Sequence, residues 1–422
     1  MGKIELDHTG SGGGVTLSSD GTDLLLDGTA IGGGADLYAA ETTGSTDPTA
    51  TGTLSLAIGS SANGSGTNSV AIGNGAAAGT YSVGIGWNAG NTGSNNTIIG
   101  RTGSMTGTSG ATVIGYDADA SNYSLNQTAL GYRATTSSGA QATALTQSYA
   151  SGADSFAAAI GNNTSTYGAT GASSVALGYR AKSSGSFSSI AFGLDAVSSG
   201  RASIAIGEGA VASADSAVSL GEDSTASGAN SSVLGGLQNT ASALRSVVLN
   251  GYQNTASGEY SVASGVNAKS DKHAKVSHSG GQFSAQGDAQ TGTFVLRSDT
   301  TDATPEALTA NNSTAGTTNQ VVLPNDSVYG FTGTVIARED SSSTDDFAVW
   351  EIKGGAVRGA SASTTALGSY NINKISESTG ASNWSIALSA DTTNGAVAIT
   401  VTGEAAHNIR WVATVNTTEV TY

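Results

Sequence analysis

Ser-Val-Ala-Ile-Gly occupies Ser69–Gly73, and the same phrase, apolar–small–apolar–Gly, returns along half of the chain. It reads SLAIG at Ser55–Gly59 and SVGIG at Ser82–Gly86, then TIIG and TVIG ending at Gly100 and Gly115. It continues with copies ending at Gly131, Thr146, Gly161, Gly178, Gly193, Gly207 and Gly221, and in looser form at Gly235, Asn250 and Gly265. Fifteen copies stand 13 to 17 residues apart. A period this short and this regular is the mark of a repeat architecture.

One copy can be read physically. Val70 and Ile72 are two apart, so on a strand they share a face, and Ala71 between them points the other way. Gly73 then supplies a turn conformation that a β-carbon would penalise. A second small-residue stretch follows, NGAAAG after Gly73 or EGAVAS after Gly207. Two short strands and two turns make one coil of a β-solenoid, and one coil buries its apolar pair only against its neighbours. A helix is disfavoured, because apolar residues two apart give no helical stripe and glycine costs about 1 kcal/mol at each helical position. Silk-like or disordered low complexity has no reason to keep the anchors in register.

Composition agrees. The 422 residues include 60 glycines, three prolines and no cysteine, and 11 % are charged. Ordinary globular chains carry about 7 % Gly and about 25 % charged residues. Disorder usually combines low hydrophobicity with high net charge, which these residues do not. The net charge of −16 disfavours nonspecific nucleic-acid binding, which needs a basic surface. The absence of cysteine rules out disulfides and thiolate metal sites. The opening MGKIELDHTG lacks the apolar core of an export signal, and no run of about 18 apolar residues would span a membrane.

The pattern over residues 54–268 resembles the head repeats of trimeric autotransporter adhesins. That resemblance implies an all-β fold, a trimeric left-handed parallel β-roll of about 14–15-residue repeats. It further implies Val/Ile pairs facing each chain's own roll and Ala/Ser positions packing at the three-fold axis. An export signal and the alternating strands of a C-terminal membrane barrel, both parts of such adhesins, are not visible, which moves the expectation towards a virion protein.

Residues 1–35 alternate apolar positions (Ile4/Leu6, Val15/Leu17, Leu24/Leu26) between glycine-rich turns, a short-strand signal. They look like the virion-attachment segments of phage fibres, and residues 36–53 look like a linker. After Lys269 aromatic and charged residues increase. Over 269–422, strand candidates at Gly292–Arg297, Asn319–Leu323, Val328–Arg338, Phe347–Ile352, Trp384–Ser389, Ala396–Thr402 and Asn408–Val415 suggest an antiparallel β-sandwich. PNDS, DTTNG and KGG read as turns between them. The phrases SGGQFSAQGDAQTGTFVLRSDTTDATPEALT and NIRWVATVNTTEV are similar to a C-terminal domain widespread in phage tail-fibre proteins.

Catalytic grammar is sparse. His8, His273, His278 and His407 form no helical i, i+4 pair, and no nucleophile elbow lies in a strand–helix context. GNGAAAG and GIGWNAG lack the Walker lysine. Asp117, Asp119 and Ser121 lack the glycine and the terminal glutamate of a calcium loop and read as a solvated turn. Asp345/Asp346 and Glu339/Asp340 are the acid pairs that a glycosidase would need. Trp350, Trp384 and Trp411 suit a sandwich core better than a sugar platform. The Asn95, Asn122 and Asn126 sequons matter only on a secretory route.

The expectation is a non-enzymatic virion fibre, most simply a phage tail fibre. It would be a homotrimer bound to tail or capsid proteins through its N-terminus and to a host glycan or protein receptor through residues 269–422. No cofactor, metal, nucleic acid or membrane insertion is expected, and no receptor-binding residue is assignable. Alternatives are a capsid-attached fibre, a polysaccharide depolymerase on a β-solenoid, and a secreted bacterial trimeric adhesin.

Overall fold

The computed structural model describes residues 46–105, 109–121, 125–138, 140–161, 166–339 and 345–422, with the backbone of four N-terminal strands. Those strands, Ile4–Leu6, Val15–Ser19, Leu24–Leu26 and Thr29–Ala30, form an antiparallel meander with Ile4 opposite Leu17 and Leu17 opposite Leu26. The linker expectation for 36–53 falls largely outside the described residues. The protein is all-β, a parallel β-solenoid of about sixteen turns followed by antiparallel sheets. Its only described helical pieces are two three-residue 3-10 turns.

The chain divides into two compact units, Met1–Asp195 and Ala196–Tyr422. In the first, three-residue strands stack in strict register: Val70 lies opposite Leu56 and Val83, and Ile72 opposite Ile58 and Ile85. A second ladder of two-residue strands runs through Asn63–Gly64 and Ala77–Ala78. The second unit repeats this, with Ile204–Ile206 on Val218–Leu220 and Val211–Ala212 on Thr225–Ala226. Its final coil, Val276–Gly280, is one that the repeat pattern misses. There His278 and Ser279 stand where an apolar residue and Gly stand elsewhere.

The facing of the repeat is the reverse of what the adhesin resemblance implies. Ala71 is fully buried within the coil together with Ser69, Ala76 and Ala78, while Val70 and Ile72 lie half-exposed on the outside. The physical reason is coil size. Two strands of two and three residues face each other across a gap that takes methyl and hydroxyl groups, not branched side chains. Where a larger residue does point inward, its opposite shrinks. Ile98 and Val113 are fully buried, and a Cβ on Gly103 would come within 3.0 Å of Ile98 Cγ2 and 3.7 Å of Val113 Cγ1.

The repeat's glycine is required twice over. At Gly207 φ is +131°, and a Cβ there would lie 2.3 Å from the Gly221 carbonyl oxygen of the next coil. Gly100 repeats the arrangement, with φ +154° and a clash at 2.0 Å with Gly115 O. The residue before the inward residue that leads into a strand is left-handed in many coils, at Asn68, Asn88, Asn95 and Asn126 among others, and after glycine Asn is the residue that most readily takes this conformation. That accounts for Asn95 and Asn126, two of the sequons: both are exposed turn residues with φ of 58° and 56°. Asn122 lies outside the described residues.

Val276–Gly280 is the hinge of the topology within the second unit. It pairs in parallel with Val262–Val266 and antiparallel with Ala289–Thr300, Val276 lying opposite Thr293. From there a five-stranded antiparallel sheet runs in the order Ala289–Thr300, Ile409–Thr421, Ser327–Glu339, Phe347–Arg358, Ala366–Glu377. A smaller sheet is built on Ala396–Thr402, flanked by Ser385–Asp391 on one edge and by Glu306–Ala307 and Val321–Val322 on the other. One core cluster joins the two sheets, with Phe294, Leu296, Val335, Ile352, Leu388, Ile399 and Ile409 buried around three tryptophans. KGG is not a turn: Lys353-Gly354-Gly355 lies inside the strand Phe347–Arg358. The edge strand Ala366–Glu377 has no counterpart among the sequence candidates, because nearly every residue on it is exposed and its apolar alternation is weak.

Candidate functional site

The tryptophans are settled by packing. Trp384, Trp411 and Trp350 are buried, with Trp350 and Trp411 stacked at 5.6 Å and Trp384 tilted against Trp411 at 6.0 Å. The Trp411 indole N–H donates to Thr300 Oγ1 at 2.9 Å. They form the sandwich core.

The polar candidates do not converge. His273 lies 3.6 Å from Glu259 and edge-on to Tyr260. His278 shares a 3.0 Å hydrogen bond with Ser264 Oγ on an exposed face. His407 sits 2.8 Å from Glu339, and Asp345 pairs with Arg338 at 2.7 Å in solvent. His8 and Asp340 lie outside the described residues. Asp117 occupies a left-handed turn and pairs with Arg133 at 3.4 Å, while Asp119 belongs to the strand Asp119–Ser121. Among the described residues no group of three His, Asp or Glu could hold a metal ion, and no helix is long and apolar enough to cross a membrane.

Three surfaces remain. The first is the outward face of the three-residue strands. Ile99 and Ile114 in the first unit, and Ile206, Leu234 and Leu249 in the second, are each 39–50 % exposed, and Leu220 on the coil between Ile206 and Leu234 is partly exposed. Such apolar columns mark a surface awaiting a partner. The second is a column one residue beyond the repeat glycine, made by Trp87, Arg101, Tyr116 and Tyr132. The Arg101 guanidinium lies 4.6 Å from the Trp87 ring and 5.5 Å from the Tyr116 ring, and Tyr116 stacks on Tyr132 at 5.6 Å. Neighbouring members of that column stack on one another, which braces the coils, while Trp87, Tyr116 and Tyr132 stay partly exposed.

The third is a groove of about 810 Å³ across the outer face of the five-stranded sheet. The register brings Thr293, Asn416, Thr332, Lys353 and Asn371 side by side on five strands. Gly330 and Gly355 are direct partners beside them. Reading Lys353-Gly354-Gly355 as a turn hid this site; glycines inside long alternating strands were the available signal.

Comparison with known proteins agrees with the repeat. The YadA head domain repeat matches residues 50–76, 169–196, 187–210, 198–221, 212–237 and 250–268. Among solved structures, the Acinetobacter phage vB_ApiP_P1 tailspike protein is 12 % identical, with a TM-score of 0.22, over 92 % of this chain and 81 % of that one. The tailspike protein of Acinetobacter baumannii phage AM24 is 9 % identical, with a TM-score of 0.17, over 91 % and 72 %. At those scores no residue of this chain takes a role from them. No curated protein matches the sequence. The chain therefore carries stretches similar to the YadA head domain repeat within a β-solenoid.

Proposed function

We propose that this chain is a non-enzymatic adhesive fibre of a phage particle. In this reading it is a homotrimer of left-handed rolls held by tail or capsid proteins through residues 1–35, and it presents residues 269–422 to a receptor on the host surface. The observation that carries the trimer is the outward column. Burying a Val, Leu or Ile side chain is worth about 1.5–3 kcal/mol, and this fold repeats such a side chain at coil after coil with only partial cover. The match to YadA head repeats supports the same arrangement. Three chains per fibre convert weak receptor contacts into durable attachment. The virion half of the reading rests on the resemblance of residues 274–422 to phage tail-fibre C-terminal domains.

The test is gold-labelled antibody against the chain on phage particles and on bacterial envelopes, with the chain's mass measured by light scattering. Label on particle tails and a mass of three chains are expected. A monomer would overturn the fibre. Label confined to the cell envelope would favour the second reading, a bacterial trimeric adhesin, which the head-repeat match by itself equally supports.

A further inference from the structure

We infer that the groove over Gly330 is a binding site for a carboxylate-bearing saccharide, with Lys353 as its cation. This rests on the attachment reading above and gives it an address.

The argument begins with glycine. Gly330 lies inside the thirteen-residue strand Ser327–Glu339, where glycine weakens a strand and often marks a close approach by another molecule. Nothing in the fold requires it there. Its φ is not left-handed, and a Cβ built on it would meet nothing within 4 Å. Gly355, its direct partner, has only the Tyr329 carbonyl oxygen at 3.9 Å. The repeat glycines are walled by neighbouring backbone; these two open onto empty space. The side chain missing at Gly330 leaves the floor of the groove open, and Gly355 beside it on the next strand adds no wall.

The walls suit a sugar. Thr332, Thr418, Asn371 and Asn416 supply hydroxyl and amide groups, and Tyr370, half-exposed, supplies a ring. Asn416 accepts a hydrogen bond from Thr293 Oγ1 at 2.9 Å, which leaves its amide N–H groups to donate. Saccharides are recognised through many convergent hydroxyl and amide contacts with an apolar face alongside, the balance expected of a small-molecule site.

Charge narrows the class. The chain carries a net −16, yet no Asp or Glu lines the groove and Lys353 is its one cation. Among the described residues no carboxylate lies within ion-pair distance of Lys353. A second copy of the chain seated here would bury that ammonium and the row of Thr and Asn, a costly desolvation without partners. A free carboxylate on a sugar satisfies it instead.

The experiment uses the full chain on immobilised acidic bacterial capsular oligosaccharides and on the same oligosaccharides after carboxyl reduction. Gly330→Trp fills the floor and Lys353→Ala removes the cation. Wild type should bind acidic members at least tenfold more tightly than their reduced forms. Gly330→Trp should abolish binding at unchanged oligomeric mass and Tm, and Lys353→Ala should erase the preference for the acid. The inference is overturned if Gly330→Trp binds as wild type does, if Gly330→Trp changes the oligomeric mass, or if wild type binds no member. Wild-type adsorption to host cells, measured in parallel, separates the two readings: adsorption that survives Gly330→Trp sinks the groove alone, and no adsorption sinks the attachment reading.

Discussion

Lys275 Nζ lies 2.7 Å from Glu419 Oε2 with both side chains 1 % exposed, a buried ion pair between the last coil of the solenoid and the final strand of the sandwich. Gln290 Nε2 donates to the same oxygen at 2.7 Å, and Thr417 Oγ1 donates to Glu419 Oε1 at 2.6 Å. The ammonium also stands 5.4 Å from the Phe294 ring and 5.8 Å from the Tyr329 ring. Burial, and the Glu419 carboxylate beside it, hold the Tyr329 phenol well above its usual range, so it stays neutral. At the inward position where most coils place Ser or Ala, Lys275 puts an ammonium that the sandwich meets with Glu419.

Removing one partner therefore strands the other. Lys275→Met or Glu419→Leu should each cost about 3–5 kcal/mol, the range for an orphaned buried charge. The double variant should lose less than the sum of the two, because both desolvation penalties vanish together. Chemical unfolding followed by tryptophan fluorescence reads this directly, since Trp350, Trp384 and Trp411 all lie in that core. Additive losses would show that the pair is not coupled.

Glycines that look alike in sequence should behave oppositely. Gly207→Ala forces a Cβ into φ +131° and to 2.3 Å from the Gly221 carbonyl oxygen, so the coils must part there. A loss of about 1–3 kcal/mol is expected, in line with other strained backbone sites, with faster hydrogen exchange over residues 204–221. Gly330→Ala meets no atom and should be neutral or slightly stabilising through the unfolded chain. Equal losses at both positions would refute the distinction.

This contrast also shows what the sequence disclosed. The coil period, most strand positions and the antiparallel character of the sheets that follow were legible because each rests on local alternation, anchored in the coils by residues such as Val70, Ile72 and Gly73. The facing of Val70 and Ile72 was not, because alternation states which residues share a face and leaves open which face is inside. That depends on the width of a coil, a tertiary quantity. The groove was hidden for a related reason: Thr293, Thr332, Lys353, Asn371 and Asn416 are far apart in sequence, and only strand register makes them neighbours.

The outward column predicts how the chains associate. Ile99→Asp in the first unit and Ile206→Asp in the second each replace a partly exposed isoleucine. In an isolated chain either change is a surface substitution, within about 0.5 kcal/mol of neutral. In a trimer it places three carboxylates in one apolar seam, where each uncompensated charge is costly. The mass by light scattering should fall from three chains to one while the far-ultraviolet circular dichroism stays that of β structure. An unchanged mass would show that this face is not where chains meet.

Acid should loosen the junction, and Asp288 is one carboxylate through which it acts. Burial pushes the Asp288 carboxyl up, but hydrogen bonds from the backbone N–H groups of Ala285, Ser284 and Phe283 outweigh it and hold it below its ordinary 3.8. Those bonds measure 2.7, 2.7 and 2.9 Å and close the turn that leads into Ala289–Thr300. A carboxyl depressed in the folded state stabilises it above the unfolded value and loses that contribution as pH falls through the folded value. Asp288→Ala should therefore lower Tm at pH 7, by the equivalent of about 1.5–3 kcal/mol for each charge-assisted bond that is not replaced. The gap from wild type should begin to narrow as pH falls to the ordinary 3.8 and close once pH has passed below the lower value of the native carboxyl. A gap that stays constant from pH 7 to pH 2 would show that the side chain acts through packing rather than through its charge.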